Sequence, residues 1–132
     1  MKIDVREMLN KFNSGMKDIG KTNPEVTGAF GNLLAATYTP NRLGTKEKEL
    51  ISIGISVHTR CEYCIVYHVY HALKAGADRE EIMEASLVAV CMGGGPSMTY
   101  VVSLVKDSID EFEKDFTKSE PELAIKEEIL SN

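Results

Sequence analysis

Apolar side chains recur with a helical spacing along almost the whole chain, and this periodicity is the feature that most limits the possible folds. In residues 3–19 they return every three or four positions, the spacing at which side chains share one face of an α-helix. No convincing two-residue alternation, the pattern of a half-buried strand, is present. The sequence therefore predicts an all-α fold. The apolar face of the first helix comprises Val5, Met8, Phe12, Met16 and Ile19.

Capping residues, glycines and prolines divide the chain into six to seven helices. Gly20 is expected to end the first helix, and Asn23 followed by Pro24 to begin the second. Asp78 and Glu81 have the spacing of a capping box. The predicted helices span about 3–19, 24–39, 46–59, 61–75, 79–92 and 98–116, with Thr45 as a cap, Gly76 as a stop, a hinge at 93–96 and a short last helix starting at 119–122.

Three apolar segments are predicted to lie in the core. The third helix is apolar nearly all round from Leu50 to Val57, as expected of a helix at the centre of a bundle, and Gly54 would let a neighbouring helix approach closely. Cys91, near the end of the fifth helix, is predicted to be a buried small apolar residue. The sixth helix carries a seam with spacings of four and three, made of Met98, Val102, Val105, Ile109, Phe112 and Phe116.

The length and the net charge of the chain exclude several classes of protein. A chain of 132 residues fits a single domain, residues 1–132, which can bury a core without disulfide staples. The net charge is −5 and no basic face is visible, which argues against nucleic-acid binding. No apolar run reaches about 18 residues, so no membrane span is expected. The acidic excess lies in residues 106–132, predicted to form a solvated helix face, with a partner-docking surface as the alternative.

The number and spacing of the cysteines indicate the cellular compartment of the protein and the kind of chemistry it could perform. There are three, an odd number, and the N-terminus is charged from the outset, unlike a secretory signal. A disulfide scaffold is therefore not expected, and the predicted compartment is the reducing cytoplasm. Cys61 and Cys64 have the CxxC spacing, which in a cytoplasmic chain points to redox or metal chemistry.

Cys61, Cys64 and His68 share one face of the predicted fourth helix, because they are three and four residues apart. The cysteines open this helix, where free backbone N–H groups and the positive end of the helix dipole favour a thiolate, the nucleophilic form of cysteine. An imidazole one turn further along can accept or return a proton near neutral pH. A nucleophile, a base and a second thiol able to close a disulfide thus lie within eight residues.

Four further polar residues could contribute to a site at this face. His71 lies near the same line and is more typical of a hydrogen-bonded structural residue than of a second base. Tyr63 and Tyr67 point to other faces of the helix. Glu49 lies in the first turn of the third helix; a partly buried carboxylate there could relay protons, although solvation at the start of a helix is the simpler expectation.

Two other interpretations of the CxxC pair stay open at this point. The cysteines could be packed in the core, or they could bind zinc, since Cys61, Cys64, His68 and His71 are all ligand types that zinc prefers. However, ten residues of helix stretch about 15 Å, so four ligands on one helix cannot converge on one ion. No second Cys/His cluster is visible in the sequence, and no metal site is predicted.

The pattern of Glu49, eleven residues, Cys61-x-x-Cys64, three residues and His68 resembles the AhpD-like alkylhydroperoxidase group of the carboxymuconolactone decarboxylase family. This resemblance implies an all-α helical bundle and an obligate homo-oligomer, either a homotrimer or a homohexamer. Further similar stretches are residues 71–77, 80–82 and 93–96, within a similarity that covers about residues 25–110.

The resemblance also implies a division of roles. Cys64 would be the attacking thiol and Cys61 the resolving thiol, with Glu49 and His68 as the proton relay. No cofactor would be bound beyond a redox-active Cys61–Cys64 disulfide. Electrons would come from a dithiol partner such as a lipoylated or thioredoxin-like protein, and the substrate would be a hydroperoxide or a disulfide. Tyr63 stands where well-studied members have a histidine, which implies a shorter relay.

The predicted function is therefore that of a thiol-dependent oxidoreductase. One alternative is decarboxylation of a cyclic lactone, the reaction that names the family, in which His68 and a pocket would act and the thiols would be incidental. The CxxC pair argues against it, because a dithiol has no obvious use in that reaction. The other alternative is a non-enzymatic oligomeric module for redox sensing or binding, which would use the acidic C-terminal segment.

Overall fold

Residues 3–117 form seven α-helices. The computed structural model describes these residues and residues 128–131, and within them it contains no β-strand, so the all-α prediction is confirmed. The helices are α1 Val5–Thr22, α2 Pro24–Tyr38, α3 Thr45–His58, α4 Glu62–Lys74, α5 Arg79–Gly93, α6 Gly95–Tyr100 and α7 Lys106–Phe112, with a π-helical turn at Val101–Val105 and a 3-10 turn at Glu113–Asp115.

Capping residues account for several helix boundaries. The Asp4 carboxylate accepts the Glu7 N–H at 2.9 Å and begins α1. The predicted capping box is present, with Asp78 and Glu81 bound to each other in both directions at the start of α5. Gly94, with φ of 68°, makes the turn between α5 and α6, so the predicted hinge is confirmed.

The end of α1 differs from the prediction. Gly20 lies inside the helix, which continues to Thr22. The chain leaves the helical conformation only at Asn23, with φ of −130° and ψ of 58°, and the next residue is Pro24. A residue before proline is disfavoured in the α region, so the proline acts as the helix boundary and the glycine does not.

The core forms where α3 packs against α4 and α5. Ile53 and Val57 are the fully buried apolar side chains of α3, and burial of such surface from water is the main stabilising term of a fold like this. A Cβ at Gly54 would lie 3.6 Å from the Ala85 carbonyl oxygen, so the predicted close approach of a neighbouring helix is confirmed. The same buried cluster contains Val5, Leu9, Ile65, Val66, Val69, Ile82, Val105, Ile109 and Phe112.

The outer face of α3 is exposed, contrary to the prediction that this helix is buried all round. Ile55 is 59% exposed, whereas Ile53 is 0% exposed. The adjacent face of α5 is exposed as well, at Val88 and Met92. Cys91, on α5, was predicted to be buried and is also exposed. The apolar sequence of this α3–α5 surface therefore belongs to the outside of the described chain and not to its core.

The predicted seam of the last long helix is correct only in its second half. Val105, Ile109 and Phe112 are buried, but Met98 and Val102 are exposed. The π-helical turn between α6 and α7 widens one turn of the helix and so changes which residues face the core. Val101, Leu104 and Ser108 are buried, and Phe116 packs at the edge of the core.

The acidic side chains after residue 105 pair with arginines from other helices. These ion pairs are partly exposed, so each contributes little to stability, but they link the last helical segment to α1 and to the start of α5. The expected solvated face is therefore, in its described part, a surface network of ion pairs. The pairs are Arg6 with Glu111 and Asp115, and Arg79 with Asp110 and Glu113.

Two predictions concern features outside the core. The predicted start of a short final helix, at residues 119–122, lies outside the described residues, and residues 128–131 are helical. Among the residues that are described, no helix has the combination of length and apolarity needed to cross a bilayer.

Candidate active site

The CxxC segment lies where α3 ends and α4 begins. The Arg60 N–H donates to the Val57 carbonyl at 3.2 Å, and the Cys61 N–H donates to the Ser56 carbonyl at 3.0 Å. These two bonds form a Schellman motif, in which Arg60 takes the left-handed conformation, φ 59°, that glycine usually adopts. Because Arg60 alone separates the C-cap of α3 from the N-cap of α4, the cysteines lie directly against the end of α3.

Cys61 and Cys64 are joined by a disulfide. Cys61 is the N-cap of α4, and its sulfur accepts the Cys64 N–H at 3.3 Å. Both side chains are partly exposed. The predicted position at a helix N-terminus is confirmed, so a sulfur that becomes negative on reduction lies near free N–H groups and the positive end of the dipole.

A buried Glu49–His68 pair lies one turn along α4 from the disulfide. His68 follows Cys64 by four residues and shares its helix face. His68 Nδ1 lies 2.7 Å from Oε2 of Glu49. Glu49 itself is only 4% exposed. Since a carboxylate only accepts, Nδ1–H is the donor, which leaves Nε2 of the neutral ring as an acceptor. The expected solvation of Glu49 is therefore wrong, because Glu49 is buried on the side of α3 that faces α4.

Two tyrosines enclose the His68 imidazole. Tyr38, the last residue of α2, stacks on it with ring centroids 5.8 Å apart and planes 29° apart. Tyr67 meets it edge-on, at 5.1 Å and 84°, so this side chain contacts the site although the sequence assigns it to another face of α4. Burial raises the pKa of each tyrosine hydroxyl, and the charge of Glu49 adds to both shifts, so both hydroxyls keep their protons near neutral pH.

His71 and Tyr63 lie at the margins of the site. The His71 ring is half-buried and packs 4.2 Å from the Tyr67 ring and 5.3 Å from the Tyr70 ring. Burial lowers the pKa of His71, which keeps its imidazole neutral at pH 7. Tyr63 is exposed in the first turn of α4. Any role of either residue in a proton relay stays a prediction.

A cavity of about 600 Å³ opens beside Glu49. Thr45 and Lys46 of α3 line it on one side, and His71 and Lys74 of α4 on the other. The carboxylate thus borders a space through which protons could exchange with solvent.

Taken together, the site combines a reducible disulfide with an imidazole on the same helix face and a carboxylate behind that imidazole. This is the set of groups needed to deprotonate a thiol and to reprotonate a leaving group. Among the residues described, no three histidine, cysteine, aspartate or glutamate side chains are grouped as metal ligands would be.

The model of the carboxymuconolactone decarboxylase family matches residues 24–107, more than half of the chain. The chain belongs to this family. The matched region contains Tyr38, Glu49, both cysteines of the disulfide and His68.

Similar proteins come from several bacteria. A protein of Cupriavidus necator is 30% identical over 100 residues, which are 76% of this chain and 88% of the relative. A family member from Legionella pneumophila superposes with a TM-score of 0.78 at 31% identity, over 83% of this chain and 96% of its own. A family member from Thermotoga maritima, for which a part in an antioxidative response has been suggested, has a TM-score of 0.64 at 30% identity, over 83% and 98%. These likenesses confirm the fold that the resemblance implied.

Tyr38 and Ser52 are neighbours of the site that were not predicted from the sequence. A signal for Ser52 existed, because it follows Glu49 by three residues on the same face of a largely apolar helix. For Tyr38, no pattern in the neighbouring sequence indicated a place beside the site. Its contact with His68 depends on how the loop at residues 39–44 turns α2 back against α3.

Proposed function

We propose that this chain is a thiol-dependent oxidoreductase that cycles Cys61 and Cys64 between dithiol and disulfide and reduces hydroperoxides or protein disulfides. The observation that carries the proposal is the buried Glu49–His68 pair one turn from Cys64. Such a pair supplies an oriented base for a neighbouring thiol. A disulfide with a purely structural task would need no such base.

With a hydroperoxide, His68 Nε2 takes the proton of the Cys64 thiol, and the thiolate attacks the terminal oxygen. The O–O bond breaks, Cys64 becomes a sulfenic acid, and the leaving alkoxide takes the proton from His68 and departs as an alcohol. The Cys61 thiol then attacks the Cys64 sulfur, which forms the disulfide and releases water. A dithiol donor restores the reduced pair by exchange. In sum, one hydroperoxide and one dithiol give one alcohol, one water and one donor disulfide.

The roles of the two cysteines in this scheme follow the family resemblance and the position of His68. Glu49 stabilises the imidazolium that forms and keeps Nδ1 occupied, so that Nε2 faces the reaction. With Tyr63 in place of the family histidine, the relay consists of Glu49 and His68, and His71 lies outside it beside the cavity.

The electron donor that we propose is a dithiol, such as a lipoylated or thioredoxin-like protein of the reducing cytoplasm. No cofactor beyond the Cys61–Cys64 disulfide is required. The antioxidative role suggested for the Thermotoga relative supports hydroperoxides as the substrate class.

Hydroperoxide consumption in the presence of a dithiol donor tests this function. We expect Cys64→Ser and Cys61→Ser to abolish turnover, and Cys91→Ser to leave it unchanged. Cys91 is the matched control because it is an exposed cysteine outside the disulfide. Equal rates for the wild type and Cys64→Ser would contradict the proposal. Lactone decarboxylation that survives Cys61→Ser would favour the lyase instead, and a reduced protein inert to oxidants would favour a binding module.

We also propose that the chain works as a homotrimer or homohexamer. α2 has no buried residue, although Glu25 is the one charged side chain among its fifteen residues. Val26, Phe30 and Leu33 form an exposed apolar ridge along it, at spacings of four and three. An apolar groove of about 480 Å³ lies between α3 and α5. A ridge and a groove on one chain favour head-to-tail contacts between copies, which close into rings.

The molar mass in solution, measured by light scattering, tests the assembly. Ile55→Glu in the groove and Val26→Glu on the ridge should both give monomers, because each places a charge in the expected contact. Asn13→Glu on an exposed position of α1 is the control and should leave the mass unchanged. A monomeric wild type would contradict the proposal.

A further inference from the structure

We propose that Tyr38 is a positioning residue that acts through His68. Its ring holds the imidazole in the plane that directs Nε2 to the side of α4 where Cys64 lies. The consequence of this role for turnover rests on the proposed function, but its effect on the Cys64 thiol does not.

The His68 imidazole has three neighbours in three directions. Glu49 holds Nδ1 at 2.7 Å, Tyr67 meets the ring edge-on at 5.1 Å, and Tyr38 stacks on its face at 5.8 Å. One hydrogen bond at Nδ1 still lets the ring tilt, through small joint changes in the side-chain torsions of His68 and Glu49. A second ring stacked on its face removes this freedom, and stacked aromatic pairs are also favourable in themselves.

Ser52 holds the Tyr38 ring in place. The Tyr38 hydroxyl and Ser52 Oγ are hydrogen-bonded, and Ser52 Oγ also lies 2.9 Å from the Lys48 carbonyl oxygen. A serine hydroxyl has one proton, and a carbonyl can only accept. The Ser52 proton therefore goes to Lys48, and the Tyr38 hydroxyl is the donor to Ser52. Both hydroxyls are satisfied, so the tyrosine ring has one preferred position.

The end of α2 is fixed to α3 by two more side chains. Thr45 Oγ1 donates to the Tyr38 carbonyl at 2.8 Å, and Lys48 Nζ donates to the Thr39 carbonyl at 2.6 Å. Thr45, Lys48 and Ser52 follow one another at spacings of three and four, so they share one face of α3. Because α2 has no buried residue, the position of Tyr38 depends on this face and not on packing of α2 into the core.

Proton transfer requires the base to lie within hydrogen-bond reach of the proton and in line with it. An imidazole that is free to tilt while bound to Glu49 spends only part of its time in that geometry. Loss of the Tyr38 ring should therefore lower the fraction of Cys64 that is present as thiolate near neutral pH. The buried cluster around α3 and α4 does not include Tyr38 and should be preserved.

The alkylation rate of Cys64 by iodoacetamide tests this without any assumption about the substrate. In a Cys61→Ser, Cys91→Ser background Cys64 is the sole thiol, and serine is a good N-cap for α4. The rate is followed by mass spectrometry across neutral pH. We expect Tyr38→Leu to slow alkylation at neutral pH about tenfold and to move the pH profile to higher pH, whereas Tyr38→Phe, which keeps the ring, should stay within about threefold.

A double-mutant cycle with His68→Gln separates positioning from general structural damage. If Tyr38 acts through His68, Tyr38→Leu has no further effect once residue 68 is glutamine. Effects that multiply in the double variant would overturn the proposal. A His68→Gln rate equal to that of the parent would also overturn it, because Tyr38 would then have nothing to act through.

A second variant covers the case in which Tyr38→Leu does not fold, which melting temperatures will show. Ser52→Ala removes the anchor and keeps the ring, so it should slow alkylation in the same direction by a smaller factor. A profile identical to the parent would then overturn the proposal. A wild type that reduces neither hydroperoxides nor protein disulfides but shows the Tyr38–His68 coupling would refute the proposed function and leave the role of Tyr38 standing.

Discussion

The inner face of α3 buries polar side chains beside the apolar Ile53 and Val57, whereas its outer face exposes apolar ones. Its inner face carries Glu49 and Ser56, both buried, and the half-buried Ser52. Its outer face carries Ile51 and Ile55, both more than half exposed. Burying polar groups costs free energy unless they are hydrogen-bonded, and large exposed apolar patches usually mark interaction sites.

The two faces of α3 have different environments, which explains their different side chains. On the inner face each polar group has a partner: Glu49 binds His68, and Ser56 donates to the Ser52 carbonyl at 2.6 Å. We attribute this arrangement to the chemistry proposed for the neighbouring cysteines. The outer face has no such partners within the described chain, and we attribute it to contact with further copies of the chain.

The largest effect is expected from a cavity on the inner side of the helix. Ile53→Ala should lower the free energy of unfolding by about 2–5 kcal/mol, because Ile53 is fully buried. Ile55→Ala, two residues away, should cost less than about 0.5 kcal/mol in dilute monomer. Urea unfolding at several protein concentrations measures both, and the cost of Ile55→Ala should grow as the protein associates. Equal costs at the lowest concentration would remove the distinction between the two faces.

The next largest effect, on the oxidation rate, is expected when the charge of Glu49 on the inner face of α3 is removed. Glu49→Gln keeps the shape of the side chain but removes its charge, and should slow oxidation of the reduced protein by hydroperoxide about 100-fold, or about 2.7 kcal/mol in barrier height. Glu47→Gln, at an exposed position of the same helix, is the control and should leave the rate unchanged. Stopped-flow mixing measures both. A Glu49→Gln rate equal to the wild type would exclude the carboxylate from the relay.

The smallest effect is a pH dependence of stability at the edge of the site. Burial lowers the pKa of His71, and the charges of Lys74 and His68 add to the shift while Glu49 opposes it. The unfolded chain therefore binds a proton near pH 6.5 that the folded chain does not, so the free energy of unfolding should fall as the pH drops below about 6.5 and level off below the folded pKa.

Denaturation at a series of pH values, on the oxidised protein, measures this slope. His71→Gln should flatten it, whereas His58→Gln, at an exposed histidine, should not. If the free energy of unfolding of His71→Gln still falls with pH in the same way, the dependence comes from another group and the prediction is contradicted.

Local patterns predicted the helices and a good part of the site. The capping box of Asp78 and Glu81, the CxxC pair at the start of α4 and His68 one turn later all depend on residues within a few positions of one another. Glu49 was different. Its position near the start of a helix favoured solvation, and only the resemblance to the family placed it beside His68.

Features that depend on packing between helices could not be predicted in this way. The apolar sequence around Ile55 and Cys91 fits a core and an interface between copies equally well, and only the fold shows that it is exposed. The π-helical turn, which moves Val102 to the surface, has no recognisable local signal. The Tyr38–His68 contact requires the loop geometry between α2 and α3 to be known.

The most direct test of the redox role is to follow the CxxC pair through one turnover. Fully reduced Cys91→Ser protein is mixed with one equivalent of an organic hydroperoxide, quenched and digested with trypsin, which releases residues 61–74 as one peptide. We expect this peptide to lose two hydrogens as the Cys61–Cys64 disulfide forms, with one equivalent of alcohol produced, and the reaction to slow markedly in His68→Gln. A pair that stays reduced while the hydroperoxide is intact, or one that is oxidised equally fast in His68→Gln, would contradict this role.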